Sequence, residues 1–347
     1  MADKKSKKAD IISVAKVAKV SASTVSRYFN HPDLLKPSTR KRIDSAVRRT
    51  GYVRNRAAQT IHGIRSGTIG VLVPTLDHAI FAEVVQAFSD EVAEQGFTIL
   101  LASHGYDPQR EYEILRKLLE HRVDGIVLTG LDHDAAVFQL IDQQDIPTVL
   151  MWNYSDTTRY PCIGADNHMA GTLIAEHVLS LGHRRIACML PPVTGNDRAN
   201  ARRDAVMRTL KAAGVSVRPE WQRTTVYSIS ASKRDAIDLL RCRDRPTAII
   251  CGNDILATGA IYGAAAAGLS VPDDISITGI GDFKGAAEIE PPLTTVRIPA
   301  KRIGRETGRV LTASIIAPGS ENVGLHCKPA LIIRSSTGPI RASNASS

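Results

Sequence analysis

The chain has 347 residues, 43% hydrophobic and 23% charged, which is ordinary for a globular protein and leaves room for two or three domains. No run of eighteen apolar residues occurs, so no membrane span is expected, and the basic stretch 1–8 has no apolar core behind it, so no secretory signal is expected. The five scattered cysteines form no C-x-x-C pair, which favours reduced thiols over a disulfide or zinc framework and predicts a cytoplasmic protein.

The positive charge is concentrated at the N-terminus. Residues 1–66 contain 16 Lys and Arg against 4 Asp and Glu, a net charge of +12, whereas the remaining residues have a net charge of −3. A compact basic segment on a near-neutral body indicates a headpiece that binds a polyanion, attached to a sensor or an enzyme. A disordered basic tail is the alternative on charge alone.

Three short helices are predicted in this segment. Apolar residues recur at helical spacing over 11–18, and Ser21 is placed to cap a second helix over 22–30. A third helix is predicted near 36–50, because Pro37 suits its first turn. Two helices joined by a tight turn and followed by a third form a helix-turn-helix, a geometry that DNA-binding proteins share with generic three-helix domains.

Strands and helices alternate through the rest of the chain. The strand candidates are Ile69–Val73, Thr98–Ala102, Gly125–Thr129, Thr148–Met151, Ile186–Leu190, Ala248–Cys251 and Ile275–Ile280. The helical patterns are Phe81–Gln95, Glu111–His121, Met169–Leu181, Ala201–Ala213, Lys233–Leu240 and Ile255–Ala267. The fold class is therefore α/β, with doubly wound parallel sheets split near residue 165 into two similar subdomains. Ligands in such folds bind beyond the carboxyl ends of the strands, so the cleft between subdomains is the expected site.

Residues in both parts carry a family resemblance. The spacing V-A-x4-V-S-x2-T-V-S-R-x2-N from Val14 to Asn30 resembles the headpiece of the lactose/galactose repressor (LacI/GalR) family, and Tyr52 to Ala58 resembles the passage into its hinge. The likeness continues to about residue 338 through short pieces such as Gly252-Asn253-Asp254, and implies a two-lobed domain like a periplasmic binding protein. Lys19 departs from the family, which usually has glycine at a turn that often needs a positive φ.

The resemblance implies a helix-turn-helix headpiece over 1–55 and a hinge helix over 56–66, with a plain linker as the alternative. It implies an effector domain over 67–340, with an N-terminal subdomain of about 67–165 and 297–325 and a C-terminal one of about 166–294 and 326–340. The tail 341–347 is expected to be disordered.

The resemblance also assigns DNA contacts. Ala22, Ser23 and Arg27 would face a major groove, where arginine is the side chain best suited to guanine. The residues expected to bind phosphates are Ser21, Thr24, Ser26, Asn30 and Tyr52. Asn55 stands at the entry into the hinge and Ala58 within it, and Ile61 stands at the position of the family's minor-groove wedge. Because a hinge helix needs a partner, the expected complex is a homodimer on double-stranded, palindromic operator DNA.

The same comparison predicts an effector site and the type of its ligand. Asp77, His78 and Phe81 follow the first strand, and Asn253 stands at a ligand-facing position of the family. Arg202 stands at the position of the family's ligand-holding arginine, with Arg198 and Arg203 as rivals, while Asp254 is expected to cap the next helix. Trp152 and Gly281 replace aspartates that often bind sugar hydroxyls. Loss of two anions beside a retained arginine favours an anionic effector, such as the sugar acid gluconate, over a neutral sugar stacked on Trp152.

The common catalytic motifs are missing from the sequence. The chain has no glycine-rich nucleotide-binding motif, no nucleophile elbow and no H-E-x-x-H, and its ten histidines are dispersed. We therefore expect a transcription regulator, most simply a repressor, with no catalytic residue, cofactor or metal. A doubly wound enzyme with a basic extension is the alternative, and the sequence does not distinguish an inducer from a corepressor.

Overall fold

The computed structural model describes residues 9–54, 65–242, 244–319 and 323–340. The chain divides between Ser66 and Gly67 into two compact units. The predicted residues Asn55, Ala58 and Ile61, and the predicted disordered tail, lie outside the described residues.

The first unit is a three-helix domain. Its helices are α1 (Ile11–Ala18), α2 (Ala22–Asn30) and α3 (Pro37–Thr50), with a 3-10 turn at Pro32–Leu34 between the last two. The core consists of small and branched apolar residues, namely Val14, Ala15, Ala18, Val25, Ile43 and Ala46. The predicted all-α headpiece is confirmed.

The turn between α1 and α2 follows the local signals. Lys19 has a φ of 54°, so the left-handed turn that favours glycine is present here with a lysine. Its backbone N–H donates to Ala15 O and Lys16 O, which closes α1. Ser21 Oγ then accepts the N–H of Thr24 at 3.1 Å, which confirms Ser21 as the cap of α2.

The second unit contains two parallel sheets. One sheet has the order β11-β5-β4-β3-β1-β2, and the other has β12-β10-β9-β8-β6-β7. The strands are β1 (Thr68–Val73), β2 (Thr98–Ser103), β3 (Gly125–Thr129), β4 (Thr148–Asn153), β5 (Cys162–Ala165), β6 (Ile186–Leu190), β7 (Gln222–Thr224), β8 (Ala248–Cys251), β9 (Ser276–Gly281), β10 (Thr294–Arg297), β11 (Leu325–His326) and β12 (Ala330–Ile332). The pairings are parallel except for that of β10 with β12.

Helices connect and cover these strands. They are α4 (Ala79–Glu94), α5 (Pro108–Glu120), α6 (Ala135–Gln144), α7 (Asn167–Ser180), α8 (Asp197–Ala212), α9 (Ile229–Leu240), α10 (Asp254–Ala266) and α11 (Ala300–Ile316). Strands β3, β4, β6 and β8 are buried along their whole length, as expected for parallel strands that have helices on both faces. The predicted α/β fold class is confirmed.

The chain passes between the two sheets after β5, after β10 and after β11. We call the lobe built on the β1 sheet the N-lobe and the lobe built on the β6 sheet the C-lobe. Because both sheets are parallel, the carboxyl ends of their central strands bring the following loops toward the space between the lobes. Within the described residues, no helix has the length and apolar character needed to cross a membrane.

Candidate functional sites

The exposed surface of α2 carries most of the residues predicted to contact DNA. Val25 is buried in the headpiece core, which leaves Ala22, Ser23 and Arg27 exposed on the outside of the helix. At the start of α2, Ser21 Oγ lies 2.8 Å from Ser23 Oγ and 2.7 Å from Thr24 Oγ1. This hydroxyl cluster lies at the positive end of a helix, which suits an anion such as a phosphate.

A second group ties the end of α2 to the segment after α3. Arg54 donates from Nη1 to Phe29 O at 3.2 Å and from Nη2 to Asn30 Oδ1. The ring of Tyr52 packs 5.9 Å from that of Phe29. Asn30 is therefore anchored through its oxygen, while Ser26 is half-buried beside it. Sequence reasoning missed Arg54, although it stands inside the stretch that resembles the hinge passage.

A small cavity lies between the two lobes. It has a volume of about 30 Å³. Most of its lining consists of aromatic and basic side chains. The lining residues are His78, Ile80, Phe81, Tyr106, Trp152, Arg198, Arg202, Tyr227, Asn253, Gly281 and Phe283. Six of the seven predicted effector residues line it. The exception is Asp77, which is exposed and whose backbone N–H donates to Thr75 Oγ1.

Aromatic rings form most of the cavity wall. The rings of Phe81 and Trp152 lie 5.3 Å apart, and those of His78 and Tyr227 lie 4.6 Å apart, edge to face. Sequence reasoning missed Tyr106, Tyr227 and Phe283. Each follows the carboxyl end of a strand by two or three residues, so the rule that places ligands at those ends could have found them.

Gly281 lies against the ring of Phe283. It has a φ of 141°, and a Cβ at this position would lie 2.0 Å from Phe283 Cε1. The aromatic ring therefore occupies the space into which a side chain at 281 would project. Where a carboxylate was expected at position 281, the cavity therefore has the aromatic ring of Phe283 and not an empty space.

Arg202 is a buried cation held by neutral acceptors. Its Nε donates to Asn167 Oδ1 at 2.7 Å and its Nη1 to Gly252 O at 3.3 Å. Burial lowers the pKa of its guanidinium from the ordinary value, because the charged form is poorly solvated. Among the described residues, no carboxylate forms an ion pair with it.

Arg198 lines the same cavity but has a charged partner. Its Nη1 lies 2.9 Å from Asp197 Oδ1 and 3.4 Å from Thr129 O. Arg203, the other rival for the ligand-binding role, bonds to Asn200 and Asp204 on its own helix and does not line the cavity. The two cations at the cavity are thus Arg198 and Arg202, and only Arg198 is neutralised by an adjacent carboxylate.

The expectation that Asp254 caps α10 is wrong. Asn253 is the cap: it has extended backbone, and its Oδ1 accepts the N–H of Leu256 at 3.0 Å. Asp254 is the first helical residue, and its carboxylate accepts from Phe283 N at 2.7 Å and from Thr295 Oγ1 at 2.6 Å. Burial raises the pKa of Asp254 to about 6. Its carboxylate is turned toward β10 and the loop after β9, and it does not line the cavity.

Two family models cover the two units. Residues 10–55 match the model of bacterial regulatory proteins of the lacI family, and residues 66–328 match that of periplasmic binding proteins and the sugar binding domain of the LacI family. The chain belongs to the LacI family.

Full-length relatives agree with this assignment. This LacI-family chain is 32% identical over 336 residues to the transcriptional regulator DegA of Bacillus subtilis, covering 96% of this chain and 99% of DegA. It is 30% identical over 332 residues to the transcriptional repressor PurR of Aliivibrio salmonicida, covering 94% and 98%.

Solved structures share the architecture. A LacI-family regulator of Enterococcus faecium with bound ribose is 26% identical, with a TM-score of 0.70 over 79% of this chain and 100% of that one. The lac repressor dimer bound to operator shares the fold, with 24% identity and a TM-score of 0.83 over 96% and 100%. This LacI-family chain is a DNA-binding transcriptional repressor with an effector-binding domain, and it is not an enzyme.

Proposed function

We propose that this repressor binds a palindromic operator as a homodimer and that a small anionic effector, a sugar acid such as gluconate, sets its operator affinity. The observation that carries the effector proposal is Arg202, a buried guanidinium at the inter-lobe cavity with neutral partners only. A buried charge is costly unless a charge of opposite sign is near it, so a ligand carboxylate would stabilise this site.

The chemistry of Arg202 matches a carboxylate. Guanidinium offers parallel N–H donors that bind a carboxylate through two hydrogen bonds, a geometry that lysine does not reproduce. The Arg198 charge is matched by Asp197 at 2.9 Å, whereas Arg202 has no ion-pair partner among the described residues and interacts with the buried Asp254 carboxylate only beyond ion-pair distance. A single ligand carboxylate would therefore give Arg202 the direct partner that Arg198 already has.

The cavity volume links effector binding to lobe movement. Its volume of about 30 Å³ is far below the roughly 300–1,000 Å³ of ordinary ligand pockets. Entry of a sugar acid therefore requires the lobes to separate, and its binding changes the angle between them. Coupling of this kind to a distant site is typically worth ~1–3 kcal/mol.

Calorimetry on the full chain tests the effector. We expect gluconate to bind and Arg202→Lys to weaken it by about tenfold or more, because a charge-assisted hydrogen bond is worth roughly 1.5–3 kcal/mol. Arg203→Lys is the matched control: it is the next residue of α8, bonds within its own helix and should leave the affinity unchanged.

The competing ligand is a neutral sugar. It is favoured by the aromatic wall around Trp152 and by the ribose bound to the relative from Enterococcus faecium. Tight binding of ribose or glucose, unaffected by Arg202→Lys, would overturn the sugar-acid proposal and favour stacking on Trp152.

The operator proposal is supported by the exposed face of α2. The predicted readers Ala22, Ser23 and Arg27 are exposed together, and the chain shares its fold with a lac repressor dimer that was solved on its operator. We propose Ser21, Thr24, Ser26, Asn30 and Tyr52 as phosphate-contacting residues, and 56–66 as a hinge that pairs in the dimer. Analytical ultracentrifugation with and without operator DNA would test the stoichiometry, and one protomer per palindromic site would contradict it.

The proposed function also implies a division of the chain into a headpiece and two subdomains. We propose a headpiece over 1–55, and two subdomains that exchange near residues 165, 295 and 325. The passages between the sheets after β5, β10 and β11 support these positions. Limited proteolysis followed by mass spectrometry should cut first between 56 and 66, and first cuts within 67–340 would contradict the division.

A further inference from the structure

A pair of hydrogen bonds joins the two lobes beside the effector cavity. Leu131 N and Asn153 Nδ2, both from the N-lobe, donate to Asp197 Oδ2 at 2.7 Å each. Asp197 is the first residue of α8 in the C-lobe. A single carboxylate oxygen therefore holds two donors of the opposite lobe, and hydrogen bonds to an ionised acceptor are among the stronger ones in proteins.

Two buried amides connect this carboxylate to Arg202. Asn153 Oδ1 accepts from Asn167 Nδ2 at 3.0 Å, and Asn167 Oδ1 accepts from Arg202 Nε at 2.7 Å. Asn153, Asn167 and Arg202 are 6%, 4% and 7% exposed. Rotation of either amide by half a turn would place donors against donors, so the orientation of each is fixed by its neighbours.

Glycines allow the lobes to approach this closely. A Cβ at Gly195 in the C-lobe would lie 2.8 Å from Tyr106 O in the N-lobe. A Cβ at Gly130 in the N-lobe would lie 2.7 Å from Arg198 Nη1 in the C-lobe. At both positions any larger residue would force the lobes apart or displace the neighbour.

We propose that Asp197 is a latch that holds the two lobes closed, and that Asn153 and Asn167 are positioning residues that couple it to Arg202. Separation of the lobes breaks the hydrogen bonds from Leu131 and Asn153 to Asp197. Movement of Arg202 displaces the Asn167 amide, which orients Asn153. The coupling to Arg202 rests on the proposed effector site. The latch itself does not, because its contacts are between protein groups only.

Trp152 provides the test. It lines the cavity and is 2% exposed, and the only other tryptophan is Trp221. In the full chain carrying Trp221→Phe, acrylamide quenching of fluorescence reports access to the cleft alone. We expect Asp197→Ala and Gly195→Ala each to shift the lobes toward the open arrangement by roughly tenfold, and so to raise the quenching constant, because the first removes the latch and the second obstructs closure.

Two matched variants control for indirect effects. Asp204→Ala removes a carboxylate from the same helix, but its partner Arg203 is in its own lobe. Gly214→Ala imposes similar backbone strain, since Gly214 has a φ of 72° against 63° for Gly195, but nothing lies within 4 Å of its added Cβ. Both should leave quenching of Trp152 unchanged.

The outcomes separate the latch from the effector proposal. Unchanged quenching in Asp197→Ala and Gly195→Ala, with thermal unfolding still cooperative, overturns the latch whatever the effector is. Equal increases in the two control variants overturn it as well. With gluconate, quenching should change in the parent protein and not in Asn153→Ala, because the Asn153 side chain neither lines the cavity nor contacts Arg202, so gluconate binding in calorimetry should be retained while the relay is broken. A gluconate response in Asn153→Ala equal to the parent's overturns the coupling, whereas failure of gluconate to bind the parent overturns the effector proposal alone.

Discussion

At the scale of single residues, the proposed effector cavity lacks two carboxylates that were expected in a sugar site. Trp152 and Gly281 stand where carboxylates were expected, and the ring of Phe283 occupies the space beside Gly281. An aspartate at 281 would collide with that ring, so Gly281→Asp changes packing together with charge. Arg202 and its neighbour Arg203 therefore give the cleaner probe of ligand charge.

Arg27 should be a base-reading residue. Its side chain is exposed on α2, and Arg27→Ala should cost roughly 1–3 kcal/mol on the operator and relax the preference at one guanine. A binding selection on randomised operators would measure this. Thr24→Ala is the comparison. Thr24 Oγ1 belongs to the hydroxyl cluster with Ser21, so its removal should weaken binding to all DNA sequences about equally. An unchanged sequence preference in Arg27→Ala would show that α2 does not read bases.

At the scale of elements, the start and the end of each headpiece helix follow local rules. Ser21 caps α2, Pro37 begins α3, and Gly51 ends it with a φ of 63°. Lys19 is the exception, because its φ of 54° is one that glycine adopts more easily.

The hinge should act as a helix only on specific DNA. Pro or Gly at Ala58 disfavours a helix, so these variants should lose operator affinity while non-specific affinity stays nearly intact. Ile61→Leu should hold or raise operator affinity, since leucine is less rigid than a β-branched wedge. Fluorescence anisotropy on operator and random duplexes at one salt concentration would measure both. Equal losses on the two duplexes in the Ala58 variants would indicate a plain linker.

At the scale of the whole molecule, the C-terminal segment closes the C-lobe around buried histidines. His183 Nε2 lies 3.1 Å from Ser276 Oγ and 3.0 Å from Gly338 O, and His177 Nε2 lies 3.0 Å from Thr337 Oγ1. Burial lowers the pKa of both imidazoles, and burial lowers those of His78 and His104 as well. These side chains pack best when neutral.

Stability should therefore fall as the pH falls below about 6.5, the pKa of histidine in the unfolded chain. The unfolded chain takes up protons before the folded one, so each group can contribute up to about 1.4 kcal/mol per pH unit, and its contribution is complete above that pH. Asp254, whose pKa is raised to about 6, has the opposite effect: its contribution to the stability of the folded chain falls as the pH rises toward that value. The histidines outnumber it, so the net effect is a loss on acidification.

Urea unfolding at pH 7.5, 6.5 and 6.0 would measure this dependence. His177→Gln should reduce the slope of the unfolding free energy against pH, because it removes one titrating group and retains an amide donor toward Thr337. A free energy that stays constant or rises between pH 7.5 and 6.0 would contradict the prediction.

The sequence by itself determined the helix-turn-helix and the α/β alternation, and the family resemblance indicated six of the eleven residues that line the cavity. The helices and strands follow from signals within a few residues of one another, such as the cap at Ser21 and the apolar periodicity of the helices. The shortest strands, β7, β11 and β12, were not identified, because two or three residues carry too little pattern.

The tertiary structure decided what depends on separate segments meeting. The sequence does not show that Phe283 fills the space beside Gly281, nor that Asp254 turns to Thr295 and leaves the capping to Asn253. It also does not show that Asp197 bonds Leu131 and Asn153 across the lobes. Asp254 and Thr295, and Asp197 and its two donors, are tens of residues apart along the chain, so only the tertiary packing sets which donor meets which acceptor.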